Sequence, residues 1–244
     1  LVLGGANTYS NLTTISAGTL VAGNGAALGD TNAGTVVATG AMLDINSQNL
    51  GAEAITASGS GIGGAGAIVN NGTADSQNAT RYVTLAGPTT FGGARRWDIR
   101  VPTVANDPNG GNDAFLHANG YALTKVSSNV VGLISAGDTG LGDIDIQGGT
   151  LTFSRSTTLG DPSKKITVRS NATLRLHRTS EFINPNILNK VISMTNAIFD
   201  IEGNGLTNNQ FAGPVTLTDS NTFSLPATTG LTLTGPVNGS GSAT

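Results

Sequence analysis

Apolar residues in this chain recur at alternate positions in short runs: Leu20/Ala22, Leu43/Ile45, Val83/Leu85, Trp97/Ile99, Ile144/Ile146, Leu151/Phe153, Leu174/Leu176, Val215/Leu217 and Leu231/Leu233. A period of two places one set of side chains on a core and the other in water, so each run predicts a half-buried strand. Turn signals stand between them at Gly63-Gly64, Asn71-Gly72 and Gly148-Gly149, and Gly87-Pro88, Gly213-Pro214 and Gly235-Pro236 read as one recurring turn device. From residue 46 to 80 the apolar pulses thin to Ile55, Ile62 and Ile68-Val69, which predicts rungs built from small residues.

The runs belong to a larger repeat. Residues Ile15–Ile45 recur without a gap as Ile146–Leu176, displaced by 131 positions (146 − 15), with Gly18-Thr19-Leu20 falling on Gly149-Thr150-Leu151 and Leu28-Gly29-Asp30 on Leu159-Gly160-Asp161. Inside each copy a shorter spacing of 23 residues separates Leu20 from Leu43 (43 − 20) and Leu151 from Leu174 (174 − 151). A unit of this size cannot bury its apolar face alone, whereas stacked copies make a continuous core. The expected architecture is therefore all-β, a parallel β-helix or β-solenoid running from 1 to 244 as a single repeat region. About ten rungs fit the length, a rod on the order of 50 Å long.

Composition agrees with that picture. Glycine supplies 35 of 244 residues and charged residues only 11%, against usual values of about 7% and 25%. The formal charge of −3 offers no general attraction to nucleic acid, and the absence of cysteine removes disulfides and thiolate metal sites. No apolar run is long enough to span a membrane as a helix, so no membrane insertion of this segment is expected. The chain opens on Leu1-Val2-Leu3 and closes just after Leu231-Thr232-Leu233-Thr234-Gly235, which reads as a section of a longer array.

Residues 1–20, LVLGGANTYSNLTTISAGTL, closely resemble the autotransporter-associated β-strand repeat, also called the passenger-associated transport repeat. Leu1, Leu3, Gly5, Ala6, Asn7, Thr8, Tyr9, Thr13, Thr14, Ile15, Gly18, Thr19 and Leu20 fit its pattern, while Asn11 and Leu12 replace its glycine pair. Leu123-Thr124-Lys125 resembles the segment that leads into each repeat, with Ser127 where a glycine is usual. The resemblance implies a right-handed parallel β-helix and a secreted protein of the bacterial cell surface, and it implies no enzyme. The expected function is structural, a stalk, passenger or fibre subunit, with adjoining repeats or further copies end to end as partners.

Candidate chemistry is sparse. If Trp97, Ile99 and Val101 face inward, Arg96, Asp98 and Arg100 form an outward row that a glycan-binding adhesin could use; the plainer reading is a core Trp beneath a solvated ladder. Lys165, Arg169 and Arg175 face outward on neighbouring runs and would make a basic patch for acidic surface polysaccharide, or would keep a strand-rich rod from pairing sideways. Asp143 and Asp145 point outward together, as a polysaccharide lyase or hydrolase would require, but no matching carboxylate pair stands a rung away. Asn106–Asn112 with Asp113 is oxygen-rich enough to raise calcium, although its spacing matches neither an EF-hand loop nor the glycine-rich nonapeptide calcium repeat, and turn chemistry accounts for it. His117 and His177 stand apart, with no zinc-type spacing. No catalytic, cofactor-binding or metal residue is expected, and no cofactor.

Overall fold

The computed structural model describes residues 1–100, 114–137, 140–154, 157, 159–177, 187–203 and 209–244. Among them the regular structure is β-strand throughout, apart from one 3-10 turn at Ile62–Gly64. Every strand pairing is parallel. Parallel neighbours need a crossover between them, and here each crossover is another strand-bearing side of the coil, which makes the fold a β-solenoid.

Three sides can be followed. The first runs the length of the chain through Val2–Leu3, Thr19–Ala22, Met42–Asp44, Ile68–Asn70, the second half of Tyr82–Gly93, Leu123–Lys125, Ile144–Ile146, Lys165–Val168, Val191–Thr195, Val215–Thr218 and Val237–Gly239. These eleven strands, at ~4.8 Å apart, span about 50 Å. The second side begins at Ser76–Thr80 and continues through Trp97–Ile99, Val130–Ile134, Thr150–Ser154, Thr173–His177, Ile198–Glu202, Ser220–Ser224 and Ser242–Ala243. The third holds Thr13–Ile15, Thr35–Val37, Ala54–Gly59, the first half of Tyr82–Gly93, Ala114–His117 and Ala136–Gly137; a separate small sheet of Ile187–Leu188, Asn209–Phe211 and Leu231–Leu233 follows later in the chain.

The 23-residue spacing is the rung itself, because Leu20 lies in register with Leu43 and Leu151 with Leu174. The larger repeat behaves differently. Its first copy places Ile15 on the third side and Leu20 on the first, whereas its second copy places Ile146 on the first side and Leu151 on the second. Alternating run, turn, alternating run specifies two strands meeting at a corner; it does not specify which corner. The shift is made through residues 54–99, where all three sides carry strands. There Gly87-Pro88 is not a turn as its recurrence suggests, but lies inside the continuous strand Tyr82–Gly93, next to a register shift between Ala57 and Gly59. Ile62, expected inside a rung, is 43% exposed on the 3-10 turn.

The core is a set of columns along the axis. Leu20, Leu43, Ile68, Phe91, Lys125, Ile146, Val168, Met194 and Leu217 stack in register on the first side, all buried. Trp97, Val131, Leu151, Leu174 and Phe199 do the same on the second. From Leu123–Lys125 onward, five successive corners joining these two sides each hold a residue in the left-handed region, namely Ser127, Gly149, Asn171, Asn196 and Asp219. Asparagine and aspartate tolerate that conformation better than other side chains, because their short polar groups bond locally. The stretch Asn7-Thr8-Tyr9 is tied to the next rung: Asn7 Nδ2 donates to Ala27 O at 2.7 Å, Asp30 N donates to Tyr9 O at 2.9 Å, and Gly29 lies directly under the Tyr9 ring.

Candidate functional surfaces

Trp97 is fully buried, its Nε1 donating to Gly92 O at 2.9 Å and its ring meeting Phe91 edge-on at 5.0 Å. It is a core residue and presents no platform. Beside it, Asp98 has the outward parity the alternation assigns, but it is 0% exposed, which corrects the expectation of a solvated row. Arg96 folds over it with two hydrogen bonds, Nε to Oδ1 at 2.9 Å and Nη2 to Oδ2 at 3.0 Å. Burial pushes the Asp98 carboxyl up, against the pull of the Arg96 bond and charge. Arg100 turns to Gln77, donating from Nη1 to Oε1 at 3.3 Å. The row is thus a brace within the rod.

Lys165, Arg169 and Arg175 do not form one patch. Lys165 and Arg169 adjoin the first side and Arg175 belongs to the second. Arg169 reaches back one rung to Asp145 with a bidentate pair at 2.7 and 2.8 Å, and that partner holds the Asp145 carboxyl below its usual range, although burial acts the other way. Arg175 reaches forward to Asp200 at 2.6 Å and Glu202 at 3.2 Å, and Glu202 also lies 3.5 Å from His177. Lys165 is exposed. Asp143 and Asp145 do point outward; Asp143 accepts the Lys165 backbone N–H at 2.8 Å, so both carboxylates serve the lattice of rungs. The oxygen-rich stretch 106–113 and Val101 lie outside the described residues.

Alternation alone did not single out two features. Lys125 shares inward parity with Leu123 and is the one ion in the first-side column, 0% exposed. Its Nζ donates to Val126 O at 2.6 Å, Ser127 O at 3.0 Å and Gly148 O at 3.1 Å, joining two successive corners, and burial pulls its pKa down to about 7. The second is a run of outward rings on the third side. Tyr82 stacks on Phe115 at 5.8 Å, Phe115 on His117 at 5.2 Å, and the Arg81 guanidinium sits 5.8 Å from the Tyr82 ring centre. The signal for it is parity: Ala114 and Leu116 go inward, which leaves Phe115 and His117 outward.

Among the described residues no three His, Cys, Asp or Glu side chains group as a metal site, and no helix is long and apolar enough to cross a membrane. No family model matches the sequence, and no curated protein or solved structure matches it.

Proposed function

We propose that this chain is a structural section of a secreted bacterial cell-surface protein, a length of stalk, passenger or fibre whose work is done by the stacking of its rungs and by the surfaces they hold out. The observation that carries this reading is the unbroken parallel ladder from Val2 to Gly239 along one side. It is supported by charges spent on joining rungs, as in Arg169 with Asp145 and Arg175 with Asp200, and by the resemblance of residues 1–20 to a repeat of secreted passengers.

A parallel ladder extends by adding another rung to an edge strand, so its partners are adjoining repeats or further copies end to end. Head-to-tail contact that does not close gives a filament. Nothing in this role calls for a cofactor, a nucleic acid or a reaction. A glycan-binding adhesin built on the five basic residues singled out above is not favoured, because Arg96, Arg169 and Arg175 are ion-paired within the rod and Arg100 is turned to Gln77.

Immunogold electron microscopy of the cells that make the protein tests the reading. Label along extended structures outside the cell is the expected result; label confined to the cell interior overturns it.

A further inference from the structure

We propose that the aromatic strip of Tyr82, Phe115 and His117 binds an acidic glycan chain laid along the axis of the solenoid. The strip sits on the third side, apart from Lys165, Arg169 and Arg175, with Arg100 one rung on from Arg81, and the proposal holds whether or not the rod is a stalk.

The rings stand in a column that otherwise carries small residues, Ala54 before Tyr82 and Gly137 after Phe115. The neighbouring outward column on the same side carries Thr14, Val36, Thr56, Thr84 and then His117 in successive register. Phe115 pairs with Tyr82 on the preceding rung and with Gly137 on the following one. Phe115 and Tyr82 are only partly covered and are not packed against the core cluster, unlike Phe91, Phe153, Phe199, Phe211 and Phe223. Stacked on one another and outside the core, these rings keep part of their apolar surface open to something that binds.

The dimensions and chemistry choose the occupant. The rings lie nearly parallel, 23° and 8° apart, in an overlapping row rather than an edge-to-face cluster. A stable protein partner buries roughly 1,000 Å² or more, which three rings do not supply. A pyranose has a flat face of C–H groups for a ring and a rim of hydroxyls, and a β-linked chain advances roughly 5 Å per sugar, close to the ~4.8 Å step between rungs. Thr56 and Thr84 offer hydroxyls beside the strip. Arg81 makes the site selective for acid: it is in no ion pair among the described residues, and its Nε is buried with no hydrogen-bond partner. A sugar carboxylate beside Tyr82 would accept from that guanidinium.

Isothermal titration of the full chain with hexamannuronate, a β-1,4-linked uronate hexamer, and with neutral cellohexaose tests the proposal. Hexamannuronate is expected to bind at least tenfold more tightly than cellohexaose. Phe115→Ala should weaken hexamannuronate at least tenfold, and Arg81→Gln should reduce it to the level of cellohexaose. Amide shifts of the wild-type chain give a reading that needs no variant to fold, and on adding hexamannuronate they should concentrate at 81–84 and 115–117. Absence of binding, equal affinity for the two hexamers, unchanged binding by a folded Phe115→Ala, or shifts centred elsewhere would each overturn it.

Discussion

Asp98 and Gly132 stand in register on adjacent strands of the second side, and the space left by the glycine's missing side chain is where the Asp98 carboxylate lies. A Cβ at 132 would run into that carboxylate. The charge is buried because its neighbour is small, and Arg96 then closes over it.

Gly132→Ala should therefore destabilise the rod by about 1–3 kcal/mol through overpacking against a buried charge. The same substitution made in an Asp98→Ala background should cost well under half as much. Urea unfolding of the four proteins of that cycle measures the coupling; additive effects would show that the two positions do not share the space.

Gly29 and Gly18 separate conformational strain from crowding. Both have positive φ, 88° and 73°, but a Cβ at 29 would lie 2.6 Å from Tyr9 Cε2, whereas nothing stands within 4 Å at 18. Gly18→Ala should cost roughly 1–2 kcal/mol, the penalty of the left-handed region alone. Gly29→Ala adds roughly 1–3 kcal/mol for the Tyr9 ring, and its thermal midpoint should fall clearly below that of the other variant.

Lys125 gives the rod a pH dependence of definite sign. Burial lowers its pKa from 10.5 to about 7, so between those values the unfolded chain binds more protons than the folded one. Unfolding free energy then rises with pH through that window and is flat below it, by an amount on the order of a few kcal/mol. Urea titrations from pH 6 to 10 should show the rise, and Lys125→Met should remove it.

The two inter-rung arginine pairs should differ in worth. Arg169 is 57% exposed at its side chain, and Arg169→Ala is expected to cost under about 1 kcal/mol and less again in 1 M salt. Arg175 is 25% exposed, and removing it leaves Asp200 and Glu202 without the guanidinium they share. Arg175→Ala should cost about 1.5–3 kcal/mol. Denaturant midpoints with and without salt check both.

Much of this fold is legible in the sequence because one rule, inward at every second position, governs most of it. Leu20 over Leu43 and Trp97 inside follow directly. The rule fails where parity and exposure part company. Asp98 has outward parity and no exposure, because Gly132 and Arg96 lie on either side of it, a fact of the neighbouring strand and the neighbouring turn. Lys125 has inward parity and a charge, and only the corner carbonyls of Val126, Ser127 and Gly148 make that tolerable. Ser127, noted as a replacement for glycine, indeed sits at φ 66°. The basic patch could not be judged from spacing, since Lys165 and Arg175 are ten positions apart but lie on different sides of the prism. The aromatic strip was readable from the parity of Phe115, yet its pairing with Tyr82 spans 33 positions of sequence (115 − 82) that no local pattern measures.

The one-side offset between the two copies of the long repeat bears on how such a chain can be cut and rejoined. An exchange between like sequences, in a genome or in a designed deletion, would join Thr14 of one copy to Ile146 of the other and remove 131 residues without disturbing the alternation. The junction would nonetheless splice a strand of the third side to one of the first, and every rung beyond it would be turned by a third of a revolution. Surface features beyond the junction, such as the Arg175 pairs, would then point in new directions while the core stayed intact. Sequence-neutral rearrangement of this rod is a rotation of what it displays.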